Sequence, residues 1–125
     1  YSPRGLYATA HDDGRPIPDH ATRPEFEAPK VSWNPAISPG GLMVYSGKLW
    51  PAWKGDLFIG GLSSKALIRV EVDGTSARKG DQWLMGERIR ELEEGPDGAI
   101  WLLEDGRLGS KGRLLKLTPR PPRAR

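Results

Sequence analysis

Two guanidinium groups stand one residue apart, at Arg88 and Arg90, in the stretch GERIRELEEGPDGAIWLLED (residues 86–105). A guanidinium is planar, permanently charged and able to donate two parallel hydrogen bonds to one carboxylate or phosphate. Two of them aimed to one side make a clamp for a compact polyanion. Aimed apart, they are ordinary surface charge. Local structure decides between these, because residues two apart share a face in a strand and lie on nearly opposite sides of a helix. Other side chains give weaker signals. His11 and His20 sit in a proline-rich leader and match no catalytic motif, and Asp12, Asp13 and Asp19 are too loosely placed for a metal site. No nucleophile–base pair and no glycine-rich phosphate loop is present in the sequence. Asp56, Asp97 and Asp105 fall at turn signals, where Asp is favoured for its hydrogen bonds to the backbone. Trp50 and Trp53 read as packing residues.

The segment that must position the arginine pair has two local readings. ERIRELEE has good helix propensity, with Ile89 and Leu92 at i,i+3 and Arg90 and Glu94 at i,i+4, and Gly86 and Gly95 would bound a short helix. As a strand, it leads into Gly95-Pro96-Asp97-Gly98, which suits a type I turn with Pro at the second place and Gly at the fourth. The apolar run Ala99–Leu103 then completes a hairpin. Upstream, GLMVYSG (41–47), DLFIGGL (56–62) and KALIRVEVDG (65–74) read as strands. The last alternates Leu67, Arg69 and Glu71 against Ile68, Val70 and Val72 before an Asp-Gly turn. DQWLMG (81–86) is a candidate fourth, edge strand.

The pattern then begins again. Residues 98–103 match 55–60 after 43 positions, and 112–117 match 65–70 after 47. A four-strand unit repeating at a little over forty residues has the spacing of a β-propeller blade. In that frame the Arg88–Arg90 segment takes the place of GLMVYSG, the first strand of a blade, which lines the central channel. Both arginines then face one side near the mouth of that channel.

Composition agrees with an all-β chain. Its 125 residues suffice for one small core, and 16 Gly and 12 Pro favour turns and short strands over long helices. The formal charge of +3 is modest and much of it lies in the tail PRPPRAR, so nucleic acid is not indicated as a partner. There is no cysteine, and no apolar run approaches the roughly eighteen residues of a membrane span. The organisation read from the sequence is an irregular leader and connector (1–40), one blade (41–86), a partial last blade (87–119) and a basic tail (120–125). At this period the chain holds about two blades, whereas a ring usually needs four or more. Its open edges therefore call for the remaining blades of a longer propeller, or another copy, to cover them.

The stretches WNPAISPGGLMVYSGKLWPAWKGDLFIGGL, GERIRELEEGPDGAIWLLED and GRLLKLTP together resemble the C-terminal blades of the soluble PQQ-dependent sugar dehydrogenases, the glucose/sorbosone dehydrogenase family. The likeness runs over roughly residues 14–119. It implies a six-bladed propeller that holds pyrroloquinoline quinone (PQQ) over its channel with calcium beside it. Such an enzyme oxidises the C1 hydroxyl of an aldose to a lactone and passes electrons to an external acceptor. Arg88 and Arg90 match the family's arginine pair facing the cofactor carboxylates. After Gly-Gly-Leu the family places a lysine near the cofactor. Here Ser63 stands there and Lys65 lies two residues on, where a strand would return its side chain to the same face and a loop would not. Trp33 and Asn34 fall in the stretch that rims the sugar pocket, Ala36 replaces a Ser or Thr, and Glu91 replaces an Asp. The proton-accepting histidine and the calcium ligands of the family lie in earlier blades, so no catalytic or metal residue is assigned in this chain. By itself it is expected to be inactive. A periplasmic or secreted location is implied by the resemblance alone. Two other readings stay open: a non-catalytic propeller module that has lost PQQ chemistry, favoured by Ser63 and Ala36, and a lactone-hydrolysing propeller, which shares the Gly-Pro-Asp-Gly turn.

Overall fold

A computed structural model describes residue 25 and residues 27–107 and 109–121. His11, His20, the leader aspartates and the last four residues of the basic tail lie outside the described residues. Among these residues seven strands form two antiparallel meanders. The first sheet is β1 (Pro39–Val44), β2 (Leu57–Gly61), β3 (Ala66–Asp73) and β4 (Ser76–Leu84), in that spatial order. The second is β5 (Ile89–Glu94), β6 (Ile100–Glu104) and β7 (Leu114–Leu117), also in chain order. A single 3-10 turn, Pro51–Trp53, carries the chain from β1 to β2. The second copies of the repeat fall on β6 and β7, as the spacing predicts.

The ambiguous ERIRELEE segment is a strand. Its two apolar residues, Ile89 and Leu92, are three apart and both buried, a spacing that suits a helix and breaks the alternation of a regular strand. A β-bulge reconciles them. Ile89 pairs with Glu104 and Glu91 pairs with Leu103, so Arg90 is the extra residue on β5. The bulge turns Ile89 and Leu92 to the same side and leaves the residues between them outside the core.

One face of each sheet meets the other around Tyr45, Phe58, Leu67, Ile89, Leu92, Ile100 and Leu102. Trp50 and Trp53 stack with ring centroids 5.1 Å apart and pack on this cluster, as expected of packing residues. The far face of the first sheet holds Ile59, Ile68 and Val70, partly covered by Val31, Trp33 and Ile37 of the preceding segment. Leu42 and Val44 stay about three-fifths exposed, and Leu103 and Leu114 face solvent from the second sheet. These rows are apolar surface in want of a neighbour.

β4 runs from Ser76, five residues earlier than the apolar signal of DQWLMG. Its first half is polar and charged, as an edge strand requires, and so carries no hydrophobic pattern. Arg69, read as one member of an alternating row, is buried. Its guanidinium donates to Asp56 Oδ2 at 2.7 Å and to Asp81 Oδ2 at 2.9 Å from Nε. Asp56 therefore holds an ion pair as well as accepting from Val72 N.

Tyr45 ties the two sheets together. Its buried hydroxyl donates to the Gly98 carbonyl at 2.7 Å and accepts from Leu49 N at 3.0 Å. Tyr45→Phe keeps the ring and strands both partners, so it is expected to lower unfolding free energy by about 1–3 kcal/mol. Denaturant unfolding checks this. An unchanged midpoint would mean that water replaces the hydroxyl without loss.

Candidate functional site

Arg88 and Arg90 converge. Arg88 Nε donates to Asp105 Oδ2 at 3.0 Å, and an Arg90 terminal nitrogen donates to the same oxygen at 3.1 Å. Asp105 lies directly after β6, and its backbone N–H donates to the Arg88 carbonyl at 2.8 Å, continuing the β5–β6 ladder by one step. The shared face anticipated for the pair is thus realised, with the bulge at Arg90 directing its side chain toward the same carboxylate.

The sequence marks Asp105 as a turn residue bonding to the backbone, a role that Asp97 does fill by accepting from Ala99 N. The structure gives Asp105 another role, because its carboxylate holds both guanidiniums. Burial opposes its ionisation, but the Arg88 hydrogen bond and the Arg90 charge outweigh that opposition, and its pKa is lowered below the ordinary aspartate value. The carboxylate is 8% exposed, Arg88 17% and Arg90 47%. Asp105 thus fixes the forks from below while much of the Arg90 fork still faces solvent. Next to it, the almost wholly buried Glu104 takes two bonds from Arg113, at 2.7 and 3.1 Å. Two consecutive carboxylates therefore order three arginines at this end of the second sheet.

The arrangement suits an anion. The pair already satisfies one carboxylate oxygen, and its unused N–H groups carry more positive charge than Asp105 alone balances. The donor set is chemically right for a ligand with several carboxylates, and PQQ has three. Among the described residues no group of three or more His, Cys, Asp or Glu side chains is placed to hold a metal ion.

The other expected site residues lie at the same end of the first sheet, in two settings. Trp33, Asn34 and Ser63 line one open cleft of about 440 Å³, together with Ser64, Lys79 and Gln82. Ser64 Oγ donates to the Ile37 carbonyl at 2.9 Å and so pins the Trp33–Ile37 segment to the β2–β3 turn. Lys79 Nζ sits 5.5 Å above the Trp33 ring. Ser64, Lys79 and Gln82 carry no site signal in the sequence: Lys79 lies in the polar first half of β4, and Ser64 in the β2–β3 turn and Gln82 in the DQWLMG strand meet Trp33 and Asn34 only through the fold. Ala36 also lines this cleft, and it presents only a methyl there. Lys65 belongs to a turn, at φ +50, and is exposed. No strand phase therefore returns its side chain to the face of Ser63.

Taken together, two paired meander sheets, with two guanidiniums converging on one carboxylate at the head of a first strand, define a segment of β-propeller. The chain belongs to the glucose/sorbosone dehydrogenase family, whose model matches residues 5–116. It is 35% identical over 96 residues to the aldose sugar dehydrogenase YliI of Escherichia coli, covering 75% of this chain and 25% of that protein. An uncharacterised protein of Synechocystis is 30% identical over 112 residues, covering 89% of this chain and 26% of its own length. Among solved structures, a glucose dehydrogenase superposes with a TM-score of 0.71 at 38% identity, over 89% of this chain and 32% of that one. The soluble aldose sugar dehydrogenase of E. coli in its apo-form gives 0.67 at 31% identity, over 89% and 32%. The chain thus spans about a quarter to a third of the relatives it matches, and its fold is that of propeller blades.

Proposed function

We propose that this chain is the part of a PQQ-dependent aldose dehydrogenase that supplies the arginine clamp for the cofactor carboxylates. The convergence of Arg88 and Arg90 on one oxygen of Asp105 carries this reading, supported by membership of a sugar dehydrogenase family. PQQ, when bound, would supply the acceptor for the hydride on the sugar's C1 carbon, whose hydroxyl gives its proton to a base so that the aldose becomes a lactone, and an external acceptor would then reoxidise the reduced quinone. The residues of this chain bind and orient. Arg88 and Arg90 hold the anion by charge and fork geometry, and Asp105 fixes their rotamers in advance. Ser63 and Lys65 are assigned to the cofactor by the family's pattern alone, and Trp33 and Asn34, which share a cleft with Ser63, offer an aromatic edge and an amide to sugar hydroxyls. The proton acceptor and the calcium ligands are assigned to blades outside this chain. Those blades would also cover the exposed rows at Leu42, Val44, Leu103 and Leu114. Among the described residues no helix is long and apolar enough to cross a membrane, and a periplasmic site of action remains part of the proposal.

The test uses the full reading frame that encodes this chain, reconstituted with calcium and PQQ. Aldose-dependent reduction of an artificial dye is expected, with no reduction when either the cofactor or the sugar is left out. Wild-type protein that neither takes up PQQ nor reduces dye would overturn the proposal in favour of a non-catalytic module. Ser63, where the family has lysine, and Ala36, where it has Ser or Thr, are the features that favour that second reading.

A further inference from the structure

The bulge that aims Arg90 does not stand alone. β1 carries a matching irregularity, since Pro39 pairs with Gly61 and Leu42 with Ile59, so that Gly40 and Gly41 share the extra position. The two bulges lie against each other. A Cβ placed on Gly40 would sit 2.5 Å from the Arg90 carbonyl oxygen and 3.0 Å from that of Ile89. One placed on Gly41 would overlap Oε1 of Glu91, the residue after the bulge, and approach its Cδ to 2.9 Å. That same Glu91 oxygen accepts from Leu92 N at 3.0 Å, which ties the side chain back onto its own strand.

We propose that Gly40 and Gly41 are positioning residues for Arg90: their bare backbone forms the seat into which the Arg90 bulge fits, and this seat sets where the guanidinium points. The inference rests on the reading of Arg88 and Arg90 as the cofactor clamp. Real Cβ atoms essentially never come within 3.0 Å of a neighbour, so a methyl at Gly40 must move the Arg90 carbonyl by about half an ångström. A carbonyl is backbone and cannot rotate aside, so the bulge moves with it. Binding constellations tolerate only about half an ångström of error, and a displacement of ~1 Å costs on the order of a hundredfold. At Gly41 the obstacle is the free end of a side chain, which can swing away at the cost of the Glu91–Leu92 bond. The effect there should be smaller.

The experiment titrates PQQ, with calcium present, into the full-length protein and follows tryptophan fluorescence, with the cofactor-free unfolding midpoint measured in parallel. Gly40→Ala is expected to weaken PQQ about tenfold at an equal folded fraction. Gly95→Ala is the control. Its Cβ would meet Trp101 Nε1 at 2.7 Å, a comparable intrusion at the opposite end of β5. It should shift the midpoint and leave PQQ affinity unchanged. Wild-type affinity in folded Gly40→Ala overturns the inference, and so does an equal loss in Gly95→Ala. Where Gly40→Ala does not fold, Gly41→Ala carries the test. A severalfold loss supports the seat, and wild-type affinity overturns it. Arg88→Ala/Arg90→Ala separates the two levels. If that double variant keeps its affinity, the cofactor reading itself is wrong, whereas if it loses affinity and the glycine variants do not, only the seat is wrong.

Discussion

Arg88→Ala/Arg90→Ala in the full-length protein is expected to lose PQQ binding by roughly a hundred to ten-thousandfold, the largest effect available in this chain. Hydrogen bonds to charged groups contribute about 1.5–3 kcal/mol each, so two forks facing carboxylates account for about 3–6 kcal/mol. The single variants should not divide that loss evenly. Arg88 is mostly covered, while Arg90 is about half exposed. Its charge is therefore better screened by solvent, and Arg90→Ala should cost less than Arg88→Ala. Arg88→Lys and Arg90→Lys should each recover only part of the affinity, because an ammonium keeps the charge and loses the planar fork. Titration of apo protein with PQQ measures all of these without turnover. A double variant that binds PQQ as wild type would remove the arginines from the cofactor site. Full recovery by lysine would mean that charge alone is read there.

Much of the fold follows from local chemistry. β2, β3 and β6 announce themselves through apolar runs or alternation closed by glycine turns, and the recurrence of the β2 pattern after 43 residues and of the β3 pattern after 47 foretells two blades of one architecture. The polar half of β4 is silent because an edge strand selects for charge, so the wall that brings Lys79 over Trp33 is visible only in the fold. The arginine pair is the mixed case. Residue type and spacing suggest a clamp, but Ile89 and Leu92 three apart speak equally for a helix, and only the bulge at Arg90 reconciles their joint burial with a strand. A bulge depends on the register between two strands and leaves no mark in either sequence alone. For the same reason Asp105 reads as a turn residue. Its partners are 17 and 15 positions upstream, and only the hairpin pairing brings them together.

That pairing makes Asp105→Asn the more discriminating variant. Asparagine has the same shape and keeps one carbonyl acceptor, but it removes the negative charge and turns an amide N–H₂ toward guanidiniums that cannot accept from it. Two effects on PQQ then oppose each other. Loss of the carboxylate leaves the site more positive, which favours an anion, but with Arg90 half exposed this gain is screened and worth at most about 1 kcal/mol. Against it, both arginine side chains lose their anchor and must be ordered by the ligand, at roughly 0.5–1.5 kcal/mol each. Adding the mutual repulsion of two unpaired forks, the loss prevails, and affinity should fall about ten- to a hundredfold. The same substitution has a pH signature. The Asp105 pKa is lowered in the folded protein, so the stability it contributes is fully present above the unfolded value of about 3.9 and is lost as pH falls through the folded value. Wild type should therefore be the more stable protein from neutral pH down to about pH 5, and the gap to Asp105→Asn should close as the pH is lowered further. The pKa values of Glu71, Asp97 and Glu104 are lowered too, but these groups titrate in both proteins, so the difference between the two curves isolates Asp105. Thermal unfolding of both across that range gives the answer. A gap that persists unchanged in acid would mean that Asp105 stabilises through shape alone. No gap at neutral pH, with PQQ affinity intact, would mean that the two arginines are held in place without it.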